Sequence, residues 1–266
     1  MIRFLRSLFF HIAYFVWNVV YPVSVFWGPL LPERVCLALV RVHLRGLYLL
    51  ERLIMGLDYR VTGREYLPAE GSYIIAPKHQ SVWETLKLHL IFGDPAIILK
   101  RELMRIPIWG WYLARIGLIP VDRGRGSRAL KSMLAGARKV AAEGRAIVIF
   151  PQGTRIAPGQ WAPYRFGAAK LYTELGVPIV PVALNSGVFW GKNRFLKRSG
   201  TIDVEILPPI PPGLSENEIL DRLADVIEPA SDRLVRAAGG PPLEWPGPGA
   251  KHKTRKERRE TADAVG

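Results

Sequence analysis

A histidine followed five residues later by an acid is the feature of this sequence best suited to chemistry. His79 and Glu84 lie in the segment KHQSVWET, directly after the apolar run of residues 72–77. If the Glu84 carboxylate folds back onto one ring nitrogen of His79, it fixes the tautomer and raises the basicity of the other nitrogen, and such a dyad can deprotonate a hydroxyl. Ser81 and Glu84 also match a capping box, so the alternative interpretation is that Glu84 only caps a helix and His79 is a loop histidine.

Cationic side chains follow three further apolar runs that have the length of strands, residues 96–99, 117–121 and 146–150. After the last run, Pro and Gly open a turn that presents backbone N–H groups, a hydroxyl and a guanidinium to one point, which suits a phosphate. Each cation could be a solvated surface residue, but their repetition near His79 favours a site for an anionic substrate. The residues concerned are Lys100, Arg123, Gln152, Gly153, Thr154 and Arg155.

Alternating strands and helices must position these residues. Apolar, β-like runs occupy residues 59–62, 72–77, 96–99, 117–121, 146–150, 179–184 and 202–206, and helical patterns occupy residues 82–92, 128–143, 165–175 and 215–238. This alternation predicts an α/β fold, a mixed and mostly parallel sheet flanked by helices, with functional residues at strand ends.

The first 57 residues predict a membrane-associated helical segment. No side chain between Arg6 and Glu33 is charged, so residues 7–32 reach the length of a membrane helix, although Pro22 and Pro29 argue against one straight helix. Residues 35–56 are apolar but interrupted by arginines, which suits an interfacial helix. Two cations precede the first segment and four follow it, which disfavours a single span with a cytoplasmic N-terminus. We therefore expect a half-inserted segment or a hairpin that keeps the rest of the chain in the cytoplasm.

Composition restricts the class of protein and its partners. The chain has 266 residues, 49% of them hydrophobic, which excludes a disordered or fibrous protein. Its single cysteine, Cys36, excludes an intramolecular disulfide and the common zinc sites that need two cysteines. A net charge of +14 indicates an anionic partner, which could be nucleic acid, a membrane surface or a phosphorylated substrate. Because no nucleic-acid-binding motif is recognisable, we expect no nucleic-acid partner.

Three segments follow from these patterns. Residues 1–57 are the predicted membrane-anchoring helices, and residues 58–238 are the predicted catalytic domain. Residues 239–249 are rich in Pro and Gly and precede a basic run, so residues 239–266 are predicted to be a disordered tail.

Two other classes of protein explain less of the sequence. A hydrolase would need an activated nucleophile, and the sequence holds no G-x-S-x-G elbow. A non-enzymatic basic membrane-binding protein would account for the charge but would leave His79, Glu84 and the cationic strand ends without a role. It remains the non-enzymatic alternative.

Five blocks of the sequence, in order along residues 58–209, resemble those of the 1-acyl-glycerol-3-phosphate acyltransferases, a family of glycerophospholipid acyltransferases. The family's His-x4-Asp block is similar to residues 79–84, and its Lys-x-Glu-Leu block is similar to residues 100–103. Its Gly-containing block, which ends in Asp-Arg, is similar to residues 117–123. Its Phe-Pro-Glu-Gly-Thr-Arg block is similar to residues 150–155, and its Val-Pro-Ile-Val-Pro block is similar to residues 177–181. Two residues depart from these blocks. Glu84 replaces Asp, and Gln152 replaces Glu, which removes a negative charge but keeps a hydrogen-bonding amide.

The resemblance implies a reaction and a role for each residue. His79 is the general base that takes the proton of the acceptor hydroxyl, Glu84 orients it, and the hydroxyl attacks an acyl thioester, either acyl-CoA or acyl carrier protein. The implied acceptor is 1-acyl-glycerol-3-phosphate and the product is phosphatidic acid, with another lysolipid such as lyso-ornithine lipid as the alternative acceptor. The implied phosphate site comprises Lys100, Arg123, Gly153, Thr154 and Arg155, and a further substrate pocket comprises Gln152, Val177, Pro178, Ile179, Val180 and Pro181.

The resemblance also implies a setting for the reaction. We expect the glycerolipid acyltransferase fold, no metal and no cofactor apart from the acyl donor. Membrane lipids are the expected partners, and the cytoplasmic face of the inner membrane is the expected location.

Overall fold

One mixed sheet forms the centre of the protein in a computed structural model that describes residues 1–122, 124 and 126–248. Its strands in these residues are β1 (Leu57–Thr62), β2 (Ile74–Pro77), β3 (Ala96–Lys100), β4 (Ile119–Val121), β5 (Ile147–Val148), β6 (Ile179–Leu184) and β7 (Gly200–Ile206). The order across the sheet is β1-β7-β6-β2-β5-β3-β4. Neighbours are parallel except β6 and β7, which are antiparallel. The predicted mixed, mostly parallel α/β fold is confirmed.

Helices cover both faces of this sheet. They are α1 (Ile2–Ser24), α2 (Glu33–Leu50), α3 (Trp83–Phe92), α4 (Trp109–Arg115), α5 (Ser127–Ala142), α6 (Phe166–Leu175), α7 (Ser186–Phe189) and α8 (Glu216–Ala237). Strand side chains alternate between two cores because successive residues point to opposite faces. Ile75 packs with α1 to α4, whereas its neighbour Ile74 packs with α5, α6 and α8. The strands and helices predicted for the body are present, with ends shifted by two residues or fewer.

Helices α1 and α2 form an antiparallel hairpin, one of the two arrangements that the distribution of cations predicted. A turn that contains the 3₁₀ segment Gly28–Leu30 connects the two helices. Trp17 Nε1 donates to the carbonyl of His43 at 3.1 Å. Gly46 permits this close packing, because a Cβ there would lie 2.2 Å from the Trp17 ring. The inner face of the hairpin, including Phe10, belongs to the same core as the sheet, so the hairpin is packed against the body.

The outer face of α1 is apolar and exposed. Among the described residues, α1 is the one helix long and apolar enough to cross a membrane, judged by length and composition. Its exposed side chains include Leu5, Phe9, Ile12, Phe15, Val16, Val19, Val20 and Val23. A contiguous apolar surface of this kind is typical of contact with a membrane or a partner, and it agrees with the predicted membrane association.

The predicted disordered tail begins with residues that contact the body. Leu243 N donates to Asp232 Oδ1 at 2.7 Å, and Glu244 N donates to the carbonyl of Gly159 at 2.8 Å. These hydrogen bonds hold residues up to 244 against the body, which corrects that part of the prediction. Residues 249–266 lie outside the described residues.

Candidate active site

The carboxyl ends of the parallel strands bring the predicted site residues to one edge of the sheet. His79 follows β2, Gln152 to Arg155 follow β5, and Lys100 ends β3. Neighbouring strands lie about 4.8 Å apart, and β5 lies between β2 and β3. The end of β3 is therefore about 10 Å from the end of β2, which precedes His79. A substrate of phospholipid size can contact both His79 and Lys100.

His79 and Glu84 form the predicted pair. His79 Nδ1 lies 2.9 Å from Glu84 Oε1. Because a carboxylate oxygen only accepts, Nδ1 carries a proton, and in the neutral imidazole Nε2 then holds the lone pair that a general base requires. The Glu84 side chain is 1% exposed, whereas that of His79 is 14% exposed and so is within reach of a ligand.

Glu84 performs the capping role as well. Its Oε1 accepts from the backbone N–H groups of Gln80 at 2.7 Å and Ser81 at 2.6 Å. The Ser81 hydroxyl accepts from Trp83 N–H at 3.1 Å rather than from Glu84 N–H, so the capping box is only half formed. The two interpretations of this motif are thus compatible, since one carboxylate oxygen caps the loop and holds the histidine.

Ser186 is a site residue that the sequence analysis did not find. Its hydroxyl donates to Glu84 Oε2 at 2.7 Å from the start of α7, 102 residues away. With this bond both oxygens of the buried carboxylate have donors. No local sequence signal marks Ser186, because its role depends on α7 lying beside the start of α3.

The loop after β5 fixes the other side of His79. The imidazole stacks on Phe150, with ring centroids 3.9 Å apart and planes 23° apart. The carbonyl of His79 accepts from Ile156 N–H at 2.8 Å, and its N–H donates to Gln152 Oε1 at 3.1 Å. The histidine is therefore held by its backbone, its ring face and its Nδ1.

A buried charged network lies behind this loop. Lys78 Nζ lies 2.7 and 2.5 Å from the two carboxylate oxygens of Glu228 in α8, 150 residues away. Tyr164 donates to Glu228 Oε1 at 2.9 Å, and Gln152 Nε2 lies 3.3 Å from the same oxygen. Burial lowers the pKa of Lys78, an effect that the Glu228 carboxylate opposes. Burial also raises the pKa of Tyr164 well above its ordinary value, which keeps this hydroxyl a donor.

The phosphate motif forms an open turn. Gly153 adopts a positive φ of 67°, which favours glycine, and Thr154 is exposed. Arg155 is partly exposed, and no carboxylate of the described residues lies within 4.0 Å of its guanidinium. Lys100 is half exposed and lies 3.4 Å from Glu102. Arg123, the remaining predicted phosphate ligand, lies outside the described residues.

An apolar cavity of about 610 Å³ opens beside this turn. Its lining joins the ends of β3 to β5 with α5 and α6, and includes Ile98, Val121, Met133, Phe150, Gly153 and Phe166. Phe150 is shared, since its ring also stacks on His79. The cavity can hold an apolar chain next to the histidine.

The run 177–181 leads into the central strand β6. Ile179 pairs with Ile74, at the start of β2, whereas His79 follows the end of that strand. Ile179 and Val180 are fully buried inside the sheet, so their side chains serve the core. Val177 and Pro178 precede the strand, and Ile179, Val180 and Pro181 are its first three residues. The assignment of this run to a substrate pocket stays a prediction.

The described residues contain no group of three or more His, Cys, Asp or Glu side chains that could hold a metal ion. The expectation that the reaction needs neither metal nor cofactor remains a prediction.

Comparison with known proteins agrees with this geometry. Residues 58–185 match the family model described as Acyltransferase. A 1-acyl-sn-glycerol-3-phosphate acyltransferase of Pseudomonas aeruginosa is 35% identical over 212 residues, which cover 78% of this chain and 81% of that protein. The chain belongs to the 1-acyl-sn-glycerol-3-phosphate acyltransferase family. The predicted family and the predicted class of enzyme, an acyltransferase, are thus confirmed.

Other acyltransferases show how widely the resemblance extends. The 1-acyl-sn-glycerol-3-phosphate acyltransferase of Saccharomyces cerevisiae is 31% identical over 72% of this chain and 63% of its own length. The human alpha form is 29% identical over 86% of this chain and 81% of its own length. The crystal structure of the 1-acyl-sn-glycerophosphate acyltransferase of Thermotoga maritima has a TM-score of 0.69 at 23% identity and covers 86% of this chain and 95% of its own, which supports the acyltransferase fold.

Proposed function

We propose that this acyltransferase transfers an acyl chain from an acyl thioester to the free hydroxyl of 1-acyl-glycerol-3-phosphate and so produces phosphatidic acid for phospholipid biosynthesis. The observation that carries the proposal is the His79–Glu84 pair at the same sheet edge as the turn of Gly153, Thr154 and Arg155. The relatives named for this activity support the choice of acceptor.

The reaction begins with proton removal. Nε2 of His79 takes the proton of the acceptor hydroxyl as the oxygen attacks the thioester carbonyl carbon. Glu84 accepts the hydrogen bond from Nδ1–H throughout, so its negative charge stabilises the imidazolium that forms. When the tetrahedral intermediate collapses, the C–S bond breaks and the thiolate takes the proton from Nε2. The products are an ester and a free thiol, with no acyl-enzyme intermediate.

The acceptor phosphate lies on the turn after β5. Arg155 supplies a guanidinium without a carboxylate partner in the described part of the chain, and guanidinium and phosphate form paired charge-assisted hydrogen bonds. Gly153 and Thr154 shape the turn, and Lys100 approaches from β3. The donor's acyl chain occupies the 610 Å³ apolar cavity beside Phe150. Acyl-CoA and acyl carrier protein both present the same thioester to His79.

The hairpin supports the membrane setting that we propose. Its apolar outer face enters the cytoplasmic leaflet of the inner membrane, and its arginines remain on the cytoplasmic side. Both ends of a hairpin lie on one side, which keeps the catalytic edge in the compartment that contains the acyl donor.

Lyso-ornithine lipid is the alternative acceptor suggested by the replacement of Glu by Gln152. The contacts of Gln152 give another reason for this replacement, since its amide bonds His79 N–H and Glu228. The departure therefore does not argue against a phosphate-bearing acceptor.

A lysolipid panel tests the proposal. The full-length protein in phosphatidylcholine vesicles receives labelled acyl-CoA or acyl carrier protein together with lysophosphatidic acid, lysophosphatidylcholine or lyso-ornithine lipid. We expect labelled phosphatidic acid, and its absence with His79→Ala. Labelled ornithine lipid without phosphatidic acid would overturn the acceptor but leave the chemistry of His79 intact.

A further inference from the structure

Four cations surround a cavity at the N-terminal end of α1, away from the turn after β5. Arg3 and Arg6 line it from α1, and Lys197 and Arg198 line it from the segment between α7 and β7. The cavity has a volume of about 400 Å³. Strand β7 is three positions from β5 in the sheet, about 15 Å at the usual strand spacing, so this cavity is separate from the proposed acceptor site.

Lys197 is the buried member of this cation cluster. Its side chain is 4% exposed, its backbone N–H donates to the Ser7 hydroxyl at 3.1 Å, and its ammonium lies 5.2 Å from the centre of the Trp190 ring. Its ammonium also donates to the carbonyl of Arg194. Burial lowers the pKa of Lys197 to about 8. A buried ammonium without a negative partner is costly, and an anion in the cavity would offset that cost.

Backbone carbonyls fix the side chains of Arg3 and Arg6 in this cavity. Arg3 Nε donates to the carbonyl of Lys197 at 3.0 Å, and Arg6 Nε donates to the carbonyl of Ile54 at 2.8 Å. These bonds fix each guanidinium through Nε and leave its two terminal nitrogens for other acceptors. Within the described residues, no carboxylate lies within 4.0 Å of any of the four cations.

Exposed apolar side chains adjoin the cluster. Phe4 contacts Phe195 with ring centroids 5.5 Å apart and ring planes tilted by 41°, and both rings are exposed, as are Leu5 and Leu196. The rest of the exposed face of α1 continues from this point. A cationic cavity at the end of an apolar face matches a molecule with an anionic head and apolar chains.

We propose that Arg3, Arg6, Lys197 and Arg198 form a second phosphate site, which binds the head-group phosphate of an anionic glycerophospholipid at the membrane surface. The acyl chains of this lipid lie along α1, next to Phe4 and Leu5. The segment that carries the site is joined to α7, because Arg198 N–H donates to the carbonyl of Phe189 at 2.9 Å. Since the start of β7 and the end of β6 lie at the same sheet edge, a lipid bound here turns the edge that carries His79 towards the membrane.

Vesicle binding by the full-length protein tests the site. Wild type and Arg3→Gln/Arg6→Gln are sedimented with phosphatidylcholine vesicles, with and without phosphatidic acid. We expect the variant to lose more than tenfold in affinity for the anionic vesicles and less than twofold for the neutral ones. The matched control is Lys131→Gln/Arg222→Gln, which removes the same charge from exposed positions on α5 and α8 and should lose less than twofold on both. Equal losses in the two double variants would overturn the site.

Two further measurements separate a site from general attraction. Arg3→Lys/Arg6→Lys keeps the charge but not the planar fork, so it should recover only part of the binding, and full recovery would overturn a specific phosphate contact. Inorganic phosphate and a soluble short-chain phosphatidylglycerol, which is neither the acceptor nor the product of the proposed reaction, are then titrated separately into the wild type. We expect the short-chain lipid to bind at least tenfold more tightly, and equal affinity would reject a lipid as the ligand.

Lys197→Met tests the buried cation. The variant keeps a chain of similar length without the ammonium, so it should keep or raise the melting temperature while losing binding to anionic vesicles. A lower melting temperature with unchanged vesicle binding would show that Lys197 is structural and would overturn its place in the site.

Discussion

The side-chain amide of Gln152 bridges the backbone N–H of His79 and the buried carboxylate of Glu228. Its oxygen accepts from His79 N–H at 3.1 Å, and its nitrogen lies 3.3 Å from a carboxylate oxygen of Glu228. Glu228 is fully buried and is paired with Lys78. An amide can accept on one side and donate on the other, whereas a carboxylate can only accept. The amide of Gln152 can therefore donate to the Glu228 carboxylate in α8, which a glutamate at position 152 could not do.

Gln152→Glu should destabilise the protein and reduce acyl transfer, although it would restore the acid of the family block that residues 150–155 resemble. The change removes a donor and places a second carboxylate beside Glu228, so we expect a loss of about 1–3 kcal/mol in the free energy of unfolding. Thermal unfolding in detergent measures the loss.

The double variant Gln152→Glu/Glu228→Gln is the control for this coupling. In this variant the amide at position 228 donates to the carboxylate at position 152, and a single carboxylate remains near Lys78. It should therefore recover most of the stability lost in Gln152→Glu. Losses that simply add would contradict the pairing of Gln152 with Glu228.

His79→Ala should lower acyl transfer by at least about 100-fold, because the general base is removed. Glu84 keeps its bonds to Gln80 N–H, Ser81 N–H and Ser186, so the melting temperature should change little. Initial rates with labelled acyl-CoA and a melting curve check both statements. A folded variant with near-full activity would remove His79 from the mechanism.

Glu84→Gln separates orientation from capping. The amide oxygen can still accept the backbone N–H groups, so stability should be nearly kept, while loss of the charge that supports the imidazolium should reduce the rate. Loss of stability with activity intact would mean that Glu84 only caps α3.

Ser186→Ala should reduce both stability and rate. It leaves Glu84 Oε2 buried without its donor, which costs about 1–3 kcal/mol in the free energy of unfolding. Ser186→Thr keeps the hydroxyl and should restore much of the rate in the same assay. Equal rates for the Ala variant and wild type would show that this bond does not position Glu84.

Arg155→Ala should lower transfer more than tenfold and only for acceptors that carry a phosphate, since a charge-assisted hydrogen bond is worth about 1.5–3 kcal/mol. Arg155→Lys should recover part of the rate if the contact is bidentate. Arg222→Ala, in α8, is the matched control and should act as wild type. An equal loss with a phosphate-free lysolipid would reject the phosphate contact.

Phe9→Glu/Val16→Glu should release the protein from neutral vesicles. Both side chains lie on the exposed face of α1, and burying two new charges in the interface opposes binding. Flotation of vesicles measures the bound fraction, with Lys131→Glu as control. Unchanged binding of the double variant would exclude this face as the membrane contact.

The sequence by itself determined the α/β alternation and most of the residues at the catalytic edge. Short continuous apolar runs predicted the strands to within two residues, because a central strand of a sheet that helices cover on both faces is apolar along its length. Since parallel strands end at one edge, residues that follow β2, β3 and β5 had to meet there. The His79–Glu84 contact was accessible for the same reason, as both residues belong to one strand-to-helix turn.

Only the tertiary structure decided which distant residues complete the site. Ser186 reaches Glu84 across 102 residues, and Glu228 reaches Lys78 across 150. It also showed that Ile179 begins the central strand β6 with its side chain fully buried, although its apolar character alone would suit a pocket residue equally well. The hydrophobic pattern of one segment shows which of its own residues are buried. The pairing of buried polar groups depends on the register and orientation with which separate elements pack, and this information is not contained in either segment alone.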